Sequence, residues 1–171
     1  KIQLAAGSEI RETQKYFERK MLFIGDNLTA GYASAVTERT TTDPGTAKED
    51  STISYTALTA EYFGAENMTV ALTHSGGRGI VSNGNKTTTH MAPAFFEYLE
   101  YRQKQSVNYD HTQYDPDIIV INLGSYDKAS ANVTDANFKT GCKNFILQVR
   151  KAYPDAKILY TYGITESSYS S

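Results

Sequence analysis

Asp26 and Asn27 stand where an apolar run of strand length, Met21 to Ile24, breaks at Gly25 and gives way to helix-forming residues. That order specifies a buried parallel strand, a tight turn and a helix N-terminus. In an α/β sheet such a turn lies at the carboxyl end of the strand, where ligands bind. The helix N–H groups beside it favour negative charge, so a residue at position 27 is presented as in a nucleophile elbow. Asn27 does not suit that task, because its carboxamide nitrogen is delocalised and no neighbouring base can make it a serviceable nucleophile. A second candidate is the glycine-rich turn Thr73-His74-Ser75-Gly76-Gly77-Arg78-Gly79-Ile80. Its glycines let the backbone turn sharply and aim an N–H at a bound oxygen. A third is Gly124-Ser125-Tyr126-Asp127, which follows the apolar run Ile118 to Leu123.

Four apolar runs would position these turns: Met21–Ile24, Met68–Leu72, Ile118–Leu123 and Lys157–Tyr162. The third is nearly all β-branched, as a central strand covered on both faces requires. Helical segments are expected between them. Leu28 to Val36 begins the first. Ser51 to Phe63 is the second, capped by Asp50 or Ser51, with Ile53, Tyr55, Ala57, Leu58, Tyr62 and Phe63 as its apolar face and Gly64 as its stop. Ala92 to Tyr101 is a short one anchored by Phe95, Phe96 and Leu99. Asp135 to Ala152 is amphipathic, with Phe138, Cys142, Phe145, Ile146 and Val149 on one side. Thr37 to Asp50 and Ser82 to His90 are polar loops.

The chain has 171 residues, the length of one ordinary domain, and a net charge of −2. It carries no basic stripe, which argues against a nucleic-acid partner. No apolar run is long enough to span a membrane. Cys142 is the single cysteine, so neither an internal disulfide nor a cysteine zinc site is expected. No cofactor is implied. Asp26 argues against a nucleotide-binding domain, since a phosphate cradle wants backbone donors without a carboxylate. Four N-x-Thr acceptor patterns begin at Asn27, Asn67, Asn85 and Asn132. They lean towards a secreted, extracellular glycoprotein.

Gly25-Asp26-Asn27-Leu28-Thr29-Ala30-Gly31 resembles the first block, Gly-Asp-Ser-x-Thr-x-Gly, of the SGNH (GDSL-type) esterases. The aromatic-Asp segment from Tyr109, the Pro116-Asp117 pair and the strand ending in Leu123-Gly124 are most similar to the family 2 carbohydrate esterases, which deacetylate xylan and related polysaccharides. The resemblance covers roughly residues 20 to 165. It implies a three-layer, flavodoxin-like α/β fold with strand order second, first, third, fourth. It also implies site positions: Asn27 in place of the nucleophilic Ser, Gly77 and Gly79 in the oxyanion turn, and Tyr126 in place of the oxyanion Asn of a Gly-x-Asn-Asp block. Asp26, Gly124, Asp127 and His74 complete the pocket. The family's final Asp-x-x-His block has no counterpart. His74, His90 and His111 lie in other contexts, where a surface or cap role is expected, with only His74 near the pocket mouth.

The expected organisation is a lead-in segment, residues 1–19, before an incomplete SGNH-like domain, residues 20–171. With nucleophile, one oxyanion donor and base all absent, the chain is expected to be inactive as it stands and to serve binding or assembly. The alternative is an active acetyl esterase of xylan-type polysaccharide in fragment or altered form. Partners would be a polysaccharide or glycan, and another chain covering the strand edge at residues 157–162.

Overall fold

The computed structural model describes residues 5–9, 17–37, 45–71, 79–82, 91–100 and 104–161. Four strands form one all-parallel sheet: β1 (Arg19–Gly25), β2 (Ala65–Ala71), β5 (Ile118–Asn122) and β6 (Lys157–Thr161). Their spatial order is β2-β1-β5-β6, the order that the family resemblance implies for the four apolar runs. Leu22 lies beside Met68 on one side and Ile119 on the other, and Ile119 in turn pairs with Ile158. This register brings Gly25, Ala71, Asn122 and Thr161 level at the carboxyl edge. The α/β class with a parallel central sheet is thus as the sequence implies.

Alternation along the strands divides the core into two layers. Leu22, Ile24, Ile119 and Ile121 face the helix α4 (Asp135–Ala152), which buries Phe145 and Val149 against them. Phe138, Cys142 and Ile146 flank that contact, so the predicted apolar face of α4 is the packed one. Thr134 caps the helix, its Oγ accepting from the Asn137 N–H at 3.2 Å. On the opposite face Met21, Phe23 and Val120 pack against Ala60 of α1 (Tyr55–Tyr62), with Tyr55 and Ile118 at the margin.

Three local expectations fail for identifiable reasons. Residues 27–35 form successive turns rather than a helix. Gly31 at φ 87° and Ala33 at φ 61° are left-handed and interrupt a helical ladder. The segment from Lys48 to Asp50 then takes up the freed groups: Asp50 N–H donates to the Gly31 carbonyl, and Ala35 N–H to that of Lys48. The segment Ser51 to Phe63 is split. A 3-10 turn spans Ser51–Ile53, and Ser54 rather than Asp50 or Ser51 caps α1. Its predicted apolar face is largely turned outward: Ile53, Leu58, Tyr62 and Phe63 are exposed, while the small residues Thr56 and Ala60 are buried. Short side chains let the helix lie close to the sheet. Finally, α2 covers only Ala92–Phe95. Tyr98–Glu100 is instead a strand, β3, paired antiparallel with β4 (Lys104–Asn108).

Candidate functional site

Two of the three sequence-marked turns meet above the carboxyl edge of the sheet. β1 ends at Gly25 and delivers Asp26 and Asn27 to the first turn. β5 ends at Asn122, after which Leu123 and Gly124 lead into α3 (Ser125–Lys128). There the Tyr126 hydroxyl donates to Asn27 Oδ1 at 3.1 Å, joining residues 99 positions apart. Asn27 and Tyr126 are both partly exposed, so the pair lines an accessible surface rather than the core.

Asp26 is buried beneath them and its Oδ1 accepts from the Leu28 N–H at 3.0 Å. Asp26 thus closes the turn locally, its side chain accepting from the backbone two residues on. A buried polar layer supports the turn from below. Thr29, fully buried, shares a hydrogen bond of 2.9 Å with the Tyr55 hydroxyl, which also accepts from Asn122 Nδ2 at 3.4 Å. Burial pushes the Tyr55 hydroxyl above its ordinary pKa, and the Thr29 and Asn122 hydrogen bonds pull against that rise. The layer ties α1, the first turn and the end of β5 together. Sequence reading missed it because its members are scattered over three elements, with no spacing to link them.

The second turn is joined to the third through Asp127. Its carboxylate is 1% exposed and accepts three consecutive backbone N–H groups, from Ile80 at 2.9 Å, Val81 at 2.6 Å and Ser82 at 2.8 Å. Burial raises its pKa, while the three donors act in the opposite direction by favouring the charged form. Gly79 stands at the head of this cradle. A Cβ there would lie 1.7 Å from the Ser82 carbonyl oxygen and 3.1 Å from Asp127 Oδ2, so only glycine fits. A cavity of about 280 Å³ adjoins Gly124 and Asp127, bounded by Lys128 and the Val133–Asp135 segment.

Among the remaining predicted positions, Gly77 and His74 lie outside the described residues, as do Asn85 and His90. Asn67 and Asn132 are exposed. His111 departs from a surface or cap role. It opens the 3-10 turn His111–Gln113 and its Nε2 is buried, against Phe96, Tyr109 and Tyr153. The aromatic-Asp segment from Tyr109 was the nearest sequence signal, whereas Phe96 and Tyr153 come from separate elements. No group of three or more His, Cys, Asp or Glu that could hold a metal occurs among the described residues, and no described helix is long and apolar enough to cross a membrane.

Comparison with known proteins places this geometry in a family context. The GDSL-like Lipase/Acylhydrolase profile matches residues 21–168. The chain is 34% identical over 152 residues to the cellulase/esterase CelE of Acetivibrio thermocellus, covering 87% of this chain and 18% of that protein. It is 29% identical over 147 residues to an acetylxylan esterase/glucomannan deacetylase of Cellvibrio japonicus, covering 85% of this chain and 40% of that protein. Among solved structures, a family two carbohydrate esterase from Clostridium thermocellum, in complex with cellohexaose, superposes with TM-score 0.80 at 30% identity, over 94% of this chain and 48% of that one. A family two carbohydrate esterase from Cellvibrio japonicus gives 0.76 at 25% identity, over 88% and 44%. The chain therefore spans less than half the length of each of these four relatives.

Proposed function

The chain belongs to the GDSL-like lipase/acylhydrolase family, and from that premise we propose that it is a non-hydrolytic relative of the carbohydrate esterases, kept for binding glycan. The observation that carries this reading is the pair at the elbow. The position where the family resemblance expects a serine holds Asn27, and its carboxamide oxygen is engaged by the Tyr126 hydroxyl. An amide so held offers hydrogen bonds to a ligand but no electron pair for attack on an acyl carbon. The Asp127 cradle and the Thr29–Tyr55–Asn122 layer support a preformed surface at this edge, which suits recognition.

Cellohexaose, present in the complex of the Clostridium thermocellum relative, is the natural first probe. Calorimetric titration should show binding that Asn27→Asp and Tyr126→Phe weaken, while p-nitrophenyl acetate should show no turnover above a heat-inactivated control. Hydrolysis by the unaltered chain would overturn the reading. It would favour the second one, an active deacetylase of xylan-type polysaccharide, which the naming of the Cellvibrio japonicus relative supports. Ser125 and Ser75 would then be the first nucleophiles to replace. An extracellular location, with glycans on the exposed Asn67 and Asn132, belongs to the same proposal. So does cover by another chain along β6.

A further inference from the structure

The chain between β4 and β5 passes the end of α4 through the 3-10 turn His111–Gln113. Asp110, Thr112 and Gln113 are exposed. Tyr114, which follows, is buried and fixed, its hydroxyl donating to the Met21 and Glu66 carbonyls, each at 3.2 Å. His111 is the side chain of this turn that is fastened inward. Phe96 stacks on its ring with centres 4.6 Å apart, and the rings of Tyr109 and Tyr153 meet it edge-on at 5.1 and 5.2 Å. Its Nδ1 lies 3.0 Å from the hydroxyl of Tyr153, the residue that ends α4. A cavity of about 260 Å³, bounded by residues 68–71 of β2 and by Phe96, Tyr109, His111 and Tyr153, leaves these rings room to move.

Burial fixes the direction of the hydrogen bond. Tyr153 is 2% exposed, and a buried phenol needs an acceptor for its hydrogen. Among the described residues His111 Nδ1 is the acceptor within reach. In a neutral imidazole only one nitrogen accepts, so the ring hydrogen resides on Nε2, which is buried and has no partner. A second proton on the ring, at Nδ1, has no place in this arrangement. It would turn the Tyr153 hydrogen away into the aromatic frame and bury a charge whose other N–H is already unmatched.

The groups facing the ring do not rescue that charge. Tyr109 and Tyr153 stay neutral phenols, since burial raises the pKa of both. Residues 68–71 of β2 carry no charge. Glu97, just after α2, and Asp110, beside His111, favour its protonation, but burial outweighs them. Both carboxylates are engaged elsewhere: Glu97 accepts from Gln148 Nε2 at 2.5 Å, and Asp110 from the Thr112 N–H and hydroxyl at 3.0 and 2.7 Å. Arg150 of α4 donates to the carbonyls of Tyr153, Pro154 and Ala156.

We propose that His111 and Tyr153 form a proton-operated clasp: with His111 neutral, residues 110–113 are held to the end of α4, and a proton taken from solvent onto Nδ1 keeps that turn released while the parallel sheet stays folded. The proton binds the open arrangement better than the closed one, and that difference shifts the population. The clasp is closed above about pH 6.5, the ordinary histidine value, and opens as pH falls through the lower value of the folded state. It does not depend on the glycan surface at Asn27.

The test is an NMR titration of the unaltered chain from pH 7.5 to 4.5, with a neutral gadolinium chelate reporting exposure. The amide signals of residues 110–113 should move with the midpoint of the His111 ring carbon, and the chelate should broaden the His111 and Tyr153 rings increasingly below that midpoint. The amides of Leu22 and Ile119, in the sheet, should keep their folded positions. Tyr153→Phe removes the hydroxyl that holds Nδ1 unprotonated, so the His111 midpoint should rise by roughly half to one pH unit. His111→Phe should abolish the movement of residues 110–113, and Tyr153→Phe carries the test if His111→Phe fails to fold. A His111 midpoint at or above 6.5 in the unaltered chain would overturn the clasp. So would rings that stay shielded from the chelate after His111 has titrated, or a midpoint that Tyr153→Phe leaves in place.

Discussion

At the scale of single residues, the proposed function turns on position 27. On the proposed reading, replacing Asn27 by Ser alone should not produce esterase activity, because Tyr126 stands where the family resemblance expects an oxyanion-donating Asn and the substitution itself adds no general base. The measurement is p-nitrophenyl acetate turnover by Asn27→Ser against the unaltered chain, and equal rates are expected. Asp127 tests the support beneath. Its three N–H donors would be orphaned by Asp127→Ala, which should destabilise the chain by about 3 kcal/mol in urea unfolding, far more than a surface change.

His111 gives a pH prediction with a definite sign. Its folded pKa is below 6.5, chiefly through burial, so the native state binds fewer protons than the unfolded chain in that range. The stabilising contribution is complete above about 6.5 and is lost as pH falls through the folded value. Asp127 acts in the opposite sense. Its folded pKa is raised from 3.8, so stability falls as pH rises from there through the folded value. The two slopes oppose one another where their windows overlap. Comparison of urea midpoints at pH 7.5 and 5.0 for the unaltered chain and His111→Phe isolates the histidine: the unaltered chain should lose more stability on acidification.

At the scale of elements, β1, β5, β6 and α4 were readable because each carries a period that burial must obey. Ile118 to Leu123 is apolar at every position but Asn122, and its strand is buried on both faces between β1 and β6. α4 repeats Phe138, Cys142, Phe145 and Val149 at helical spacing, and that stripe is the one packed. Phe145→Ala should therefore cost about 3–5 kcal/mol, measured by urea unfolding. What escaped sequence reading is what tertiary contact decides. Thr56 and Ala60, not Leu58 and Tyr62, form the buried side of α1, because the sheet admits short side chains there. The turns after Asn27 depend on the Lys48 carbonyl, which accepts from the Ala35 N–H, and on the Asp50 N–H, which donates to the Gly31 carbonyl. At the site itself, blocks around Asn27 and Tyr126 were legible as motifs, whereas their 3.1 Å contact and the Asp127 cradle arise only when β1 and β5 pair.

At the scale of the whole molecule, the two layers of the sheet are unequal, and the inequality is concentrated at β6. On the α4 side, Ile158 and Tyr160 of β6 pack against the core, and the Tyr160 hydroxyl donates to the Leu123 carbonyl at 2.7 Å. On the α1 side, Leu159 pairs beside the buried Val120 yet is 54% exposed. Among the described residues β6 has one paired neighbour, β5, so its outer backbone groups form a strand edge next to an apolar side chain. Exposed edges of that kind recruit further strands unless charge or cover prevents it. The proposal that another chain covers β6 makes a concentration-dependent prediction. The unaltered chain should rise in apparent mass with loading concentration in light scattering coupled to gel filtration. Leu159→Lys places a charge on the exposed position without touching either core cluster, so it should leave the urea midpoint near that of the unaltered chain and hold the mass at one copy. A constant single-copy mass for both proteins would reject association along this edge.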